Sequence, residues 1–163
     1  MILHLIRHAH AVAAEENPLR PLSDRGRAQV AQLAAFFRAN GRLRPAAVWH
    51  SPLVRSRETA TLLAAGLGFG GSLLEMSGLE PEDDPRAIAA RLVGAANGLV
   101  IVGHEPHLSA LATLLVRGPT GASIFTLEKG SCLALERDAR SWHVRWLMGP
   151  ELLSLASCTD ADA

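Results

Sequence analysis

A chain of 163 residues, 48% hydrophobic and 20% charged, has the size and balance of one folded globular domain, which excludes a disordered or fibrous protein. Its 16 Lys and Arg balance 16 Asp and Glu, so no charge excess argues for nucleic acid or an anionic membrane. An anion that binds here must be drawn by a local pocket.

Ile2-Leu3-His4-Leu5-Ile6 is a short apolar run that predicts a buried strand, with Arg7-His8 at its C-terminal end. The run is too short for a signal-peptide core or a membrane span. A loop containing Asn17-Pro18 and Pro21 follows, then a helix capped by Ser23 or Asp24 that runs to about Asn40-Gly41. Val30, Leu33, Ala34 and Phe37 form its apolar stripe. Ala46 to His50 predicts a second strand. Ser51-Pro52 opens the next helix, with the proline near its first turn; that helix carries Arg55 and ends around 66–71. Ser72 to Met76 reads as a weaker strand, 80–85 as an acidic loop, and Arg86 to Ala96 as a helix.

Leu99-Val100-Ile101-Val102 is the clearest buried strand and ends at Gly103-His104; Pro106 to Val116 is a helix. Ser131 to Arg137 and Trp142 to Met148, separated by 138–141, predict a hairpin. A period of two places Trp142 and Trp146 on one face of it. Alternating strands and helices give an α/β fold, a three-layer α/β/α sandwich with a mostly parallel central sheet. A single domain is expected over 1–157, with a loose tail over 158–163. Cys132 and Cys158 form no metal spacing and are too few to staple a secreted domain, so a reducing, cytoplasmic setting is expected.

Three polar sites follow the C-terminal ends of predicted parallel strands: Arg7-His8, Ser51-Pro52 with Arg55 one helical turn on, and Gly103-His104. Ligands of open α/β sheets bind at that edge, so these residues are expected to converge in one crevice. Two arginines and two histidines in a pocket suit a phosphoryl group, because guanidinium matches its oxygens with paired hydrogen bonds.

Arg7-His8-Ala9 resembles the Arg-His-Gly signature of the histidine phosphatase superfamily, a phosphoglycerate mutase-like fold. Ser51-Pro52-Leu53-Val54-Arg55-Ser56-Arg57-Glu58-Thr59-Ala60 resembles its second motif and Gly103-His104-Glu105-Pro106 its third, in matching order. The short length, Arg20-Pro21-Leu22-Ser23 and Leu79-Glu80-Pro81 are most similar to the SixA-type phosphohistidine phosphatases. The resemblance implies His8 as nucleophile, with Arg7, Arg55 and His104 on the phosphoryl oxygens. Arg20 is implied as a further clamp, and Ser51 and the amides after it as additional contacts. Larger relatives protonate the leaving group with a carboxylic acid, for which Glu80 is the candidate here. Some relatives place that glutamate two residues earlier, where this chain has Gly78. Ala9 replaces the signature glycine, and an alanine is strained there if the position needs positive φ or close approach of the backbone to phosphate.

The expected activity is metal-independent hydrolysis of phosphohistidine on a signalling or phosphotransfer domain, through a phosphoryl group held transiently on His8. A small-molecule phosphomonoesterase is the alternative, and a phospho-binding module without turnover a third reading. The expected partner is accordingly a phosphorylated protein domain or a small phosphorylated metabolite, with no cofactor, metal, nucleic acid or membrane, and the chain is read as a monomer. His4, His10, His50, His107 and His143 are assigned structural roles, and Arg57 and Glu58 the surface of a helix.

Overall fold

The computed structural model describes residues 1–119, 122–139 and 141–156; Arg140, Cys158 and the tail expected over 158–163 lie outside the described residues. The elements are β1 (Ile2–Arg7), α1 (Asp24–Asn40), β2 (Ala47–His50), α2 (Val54–Leu67), β3 (Leu73–Glu75), α3 (Pro85–Arg91), β4 (Leu99–Gly103), α4 (His107–Arg117), β5 (Cys132–Arg137), β6 (Trp142–Met148) and α5 (Pro150–Ala156). The strands form a six-stranded sheet in the order β3-β2-β4-β1-β5-β6. β3, β2, β4 and β1 are parallel, and β5 and β6 add an antiparallel hairpin beside β1. The fold is the expected α/β type with a mixed sheet.

The alternation of side chains along β1 and β4 sends apolar groups to both faces. Ile6, Val100 and Val102 join Val30, Leu33, Phe37 and Leu63 in a core under α1 and α2. Leu3, Leu5, Leu99 and Ile101 join Ile88, Leu108 and Leu111 in a second core under α3 and α4. That double burial explains why these strands read as continuous apolar runs.

Register is what positions the site. Arg7 pairs with Gly103, and the amide of His8 donates to the Gly103 carbonyl at 2.9 Å. The amide of Ser51 donates to the Val102 carbonyl at 3.1 Å. β5 runs antiparallel to β1, so the residues before Cys132 emerge at the same edge: Gly130 N–H donates to the Arg7 carbonyl, and Arg7 N–H to that of Ser131.

Several sequence readings change. Trp142 packs into the core under α3 and α4, whereas Trp146 packs into the opposite core, against Phe37. A bulge causes this: Ala134 pairs with Trp146 and Leu135 with Val144, so Arg145 is the extra residue, and one added residue reverses the facing of everything beyond it. Pro52 precedes the N-cap of α2, which is Leu53, rather than lying in the first turn. α3 ends at Arg91 and tightens into a 3₁₀ turn over Leu92–Gly94. α5 was not apparent from the sequence.

Gly26 shows how closely α1 braces the loop after β1. Ser23 caps the helix by accepting from Gly26 N–H, and its own N–H donates to the His10 carbonyl at 3.1 Å. A Cβ on Gly26 would stand 1.9 Å from that carbonyl oxygen. Alanine is the better helix former by about 1 kcal/mol, yet backbone cannot yield here. We expect Gly26→Ala to lower unfolding free energy by about 2–3 kcal/mol, measured by urea denaturation; a stabilised variant would contradict this packing.

Candidate active site

His8, Ser51 and His104, each the first residue beyond a parallel strand, meet at the C-terminal edge, and α2 carries Arg55 over them. His8 is 5% exposed and His104 1%. Their rings lie 4.9 Å apart, centroid to centroid.

The hydrogen bonds fix the His8 tautomer. Nδ1 lies 2.7 Å from the Ala9 carbonyl, which can only accept, so Nδ1 carries the proton. Arg55 Nε can only donate and reaches Nε2 at 3.3 Å, so Nε2 presents a lone pair. The ring is neutral: burial, reinforced by the charges of Arg55, Arg7 and Lys129 against the opposing Ala9 bond, lowers its pKa to about 3. A buried, neutral imidazole with an oriented lone pair is a competent nucleophile at neutral pH.

His104 is also neutral, its pKa lowered to about 3 by burial, then by His8, Arg55, His107 and Arg7. Its Nε2 lies 2.9 Å from Ser51 Oγ, and its buried Nδ1 meets no hydrogen-bond partner among the described residues. Ser51 Oγ also accepts from Leu53 N–H at 3.3 Å. The Ser51 side chain thus links His104 to the start of α2. Ala9 is fully buried, and Arg20 is the one non-glycine residue at positive φ among the described residues, so Ala9 carries no left-handed strain. Ala9 N–H donates to Thr59 Oγ1 at 3.1 Å, tying the loop to α2 one turn beyond Arg55.

Residues 3–80 match the sequence model described as the histidine phosphatase superfamily (branch 1). The chain is also 32% identical over 148 residues to an uncharacterized protein of Picosynechococcus sp., covering 85% of this chain and 87% of that protein. The chain belongs to the histidine phosphatase superfamily. Phosphatase chemistry is the activity that membership carries.

Two solved structures share the fold. The protein histidine phosphatase SixA complexed with tungstate superposes with a TM-score of 0.80 at 23% identity, covering 94% of this chain and 99% of that one. A putative alpha-ribazole-5'-P phosphatase from Escherichia coli superposes at 0.76 with 20% identity, covering 92% and 98%.

In this histidine phosphatase the supporting shell has specific geometry. Arg7 Nη1 donates to the Leu127 carbonyl at 2.7 Å, while Leu127 N–H donates to Glu105 Oε1 at 3.0 Å. Glu105, beside His104, thus sets the position of Arg7 through the backbone of one residue, Leu127. Arg20 takes a left-handed φ of 49° immediately before Pro21, and its Nε donates to the Val12 carbonyl at 3.3 Å. That conformation costs about 1–2 kcal/mol for a residue with a Cβ. Glu58 helps hold it: Leu22 N–H donates to Glu58 Oε2 at 2.7 Å, and Arg27 lies 3.4 Å from the same oxygen. Glu58 is thus a tether for the Arg20 loop, not the plain helix surface read from the sequence. Arg20 itself faces Arg55 closely enough to lower that guanidinium's pKa, after burial.

Glu80 is exposed on its loop, where its N–H donates to Asp83 Oδ2 at 2.7 Å; no side-chain contact joins it to His8 or His104 among the described residues. Sequence reasoning missed Lys129. Its half-buried ammonium is lowered in pKa by burial and by Arg7, Arg20, Arg25 and Arg55. The signal was present: Lys129 is the one lysine in the chain and stands three residues before β5. Only the antiparallel pairing of β5 with β1 brings it to His8. No described helix is long and apolar enough to cross a membrane, and no described group of three His, Cys, Asp or Glu is placed to hold a metal ion.

Proposed function

We propose that this protein hydrolyses phosphohistidine on a protein domain, without a metal, by way of a phosphoryl group carried on His8. The observation that carries the reading is the His8 ring itself, with its proton fixed on Nδ1 by the Ala9 carbonyl and its Nε2 lone pair beside Arg55. The lone pair forms a bond to phosphorus as the bond to the substrate imidazole breaks. The substrate nitrogen leaves with a proton drawn from solvent. Water then attacks phosphorus, the bond to His8 breaks, Nε2 recovers its lone pair, and inorganic phosphate departs.

Charge on the phosphoryl oxygens is met by Arg55 and Arg7, with Arg20 closing from its loop. In the tautomer in which Ser51 donates to His104 Nε2, the proton sits on Nδ1, where a phosphoryl oxygen would be its partner. The choice of an N–P substrate rests on the leaving group. Alkoxide departure needs a positioned acid, whereas a protonated imidazole leaves readily, and Glu80 points to no such positioned role. A signalling or phosphotransfer domain in the cytoplasm is the setting that fits.

The likeness to a putative alpha-ribazole-5'-P phosphatase favours a second reading, a small-molecule phosphomonoesterase. Incubation with a phosphohistidine-bearing carrier domain and with a panel of phosphate esters, without added metal, separates them. We expect turnover of the carrier to exceed that of every ester; turnover confined to esters would transfer the assignment. Glu80→Gln should lose little on phosphohistidine and more on alkyl phosphates. Large, equal losses on both would place Glu80 in the acid role for either substrate.

A further inference from the structure

The cations around His8 exceed what one phosphoryl group needs. Arg7, Arg55, Arg20 and Lys129 bring four formal positive charges, and none of them is ion-paired with a carboxylate among the described residues. A bound phosphoryl group carries about −1.5 to −2. Keeping His8 neutral does not account for the surplus, because burial is already the largest cause of its lowered pKa.

The sheet order says where the surplus lies. Ser51, His104 and His8 leave β2, β4 and β1 in succession, so the phosphoryl pocket spans the β4-β1 side. Lys129 stands one strand further, on the β5 side. Its place is held by backbone: Gly130 N–H donates to the Arg7 carbonyl at 3.2 Å, Ser131 N–H to that of Glu128 at 2.9 Å, and Gly130 lies against the Gln29 side chain. Gln29 Oε1 in turn accepts from His10 N–H at 2.9 Å, so the lysine is fixed to the loop that carries His8. Arg25 stands beyond it on α1, in a cavity wall that also includes Glu128 and Glu151.

We propose that Lys129 forms a second anion subsite on the β5 side of His8, which selects substrates bearing a carboxylate or other anionic group next to the phosphoryl-bearing group. This rests on the phosphoryl pocket proposed above and adds a substrate class: a phosphorylated residue flanked by an acidic one, rather than an isolated phosphate on a neutral carrier. The Lys129 ammonium is a point charge on a flexible stem, suited to an anion at variable distance.

Phosphonates test this without depending on turnover, since their C–P bond is not hydrolysed. Binding of phenylphosphonate and of its ortho, meta and para carboxylates is measured by calorimetry on wild type, Lys129→Met and Lys129→Arg. We expect at least one carboxylate to bind wild type about tenfold tighter than the parent, the scale of a charge-assisted hydrogen bond in a partly buried site. Lys129→Met should erase that ratio and Lys129→Arg retain most of it. A ratio near one in wild type, or one unchanged in Lys129→Met, overturns the subsite while leaving the phosphoryl pocket standing. Failure of phenylphosphonate itself to bind would remove the pocket, and the subsite with it.

Discussion

His8→Ala is expected to lower kcat by about 10⁴-fold or more, because it deletes the imidazole whose lone pair is held in place for attack on phosphorus. The direct measurement is rapid quench with labelled substrate. Wild type should yield acid-labile, base-stable phosphate on His8, and the variant none. The pH dependence follows from the same ring. Burial holds the folded-state pKa near 3, below the usual 6.5, so the imidazole is unprotonated and nucleophilic above that value and loses its lone pair only as pH falls through it. An acid limb due to His8 therefore belongs near pH 3, with no loss of nucleophile between pH 5 and 8. Undiminished turnover by His8→Ala would end this mechanism, and a titration near 6.5 that vanished with His8 would contradict the burial argument.

The second large effect is expected at Arg55. Its guanidinium is at once the donor nearest the nucleophilic nitrogen and a cation facing the charge of the transferring group. Arg55→Ala should reduce kcat/KM by about 10²-fold or more, the loss typical of removing one transition-state donor. Arg55→Lys should recover only part, because an ammonium keeps the charge but not the paired geometry. Since Arg55 lies on α2 and is not in either core, its loss should leave the urea midpoint close to wild type. A change in rate of a few per cent would place Arg55 outside the reaction.

Much of the site was legible because its parts follow strands of the plainest kind. Ile2 to Ile6 and Leu99 to Val102 are apolar on both faces, which only a strand between two layers of helices explains, and Arg7-His8 and Gly103-His104 stand where those runs stop. What stayed hidden depended on pairing between distant segments. Lys129 joins the site through the antiparallel partnership of β5 with β1, which the local hairpin pattern does not specify. The two tryptophans of β6 were misplaced because a period of two presumes an unbroken ladder, and the bulge at Arg145 breaks it. Glu58 reads as surface along its own helix, yet its carboxylate holds the amide of Leu22, on a loop 36 residues away in sequence. Ser51 was legible as part of the site, but its attachment to His104 was not, since hydroxyl contacts follow from rotamers and not from spacing.

The central place of β1 also shapes how the molecule comes into being. It precedes the other described strands in the chain, yet its two neighbours are β4 and β5, so β1 has neither of them until Leu99–Gly103 has been made and stays open on one side until Cys132–Arg137 follows. Until then a greasy ribbon ending in Arg7 is exposed, prone to pairing with other chains. The loop that carries His8 therefore takes shape only after β4 and β5 have been made, and a chain cut before β4 would hold His8 without the Gly103 carbonyl that fixes its backbone.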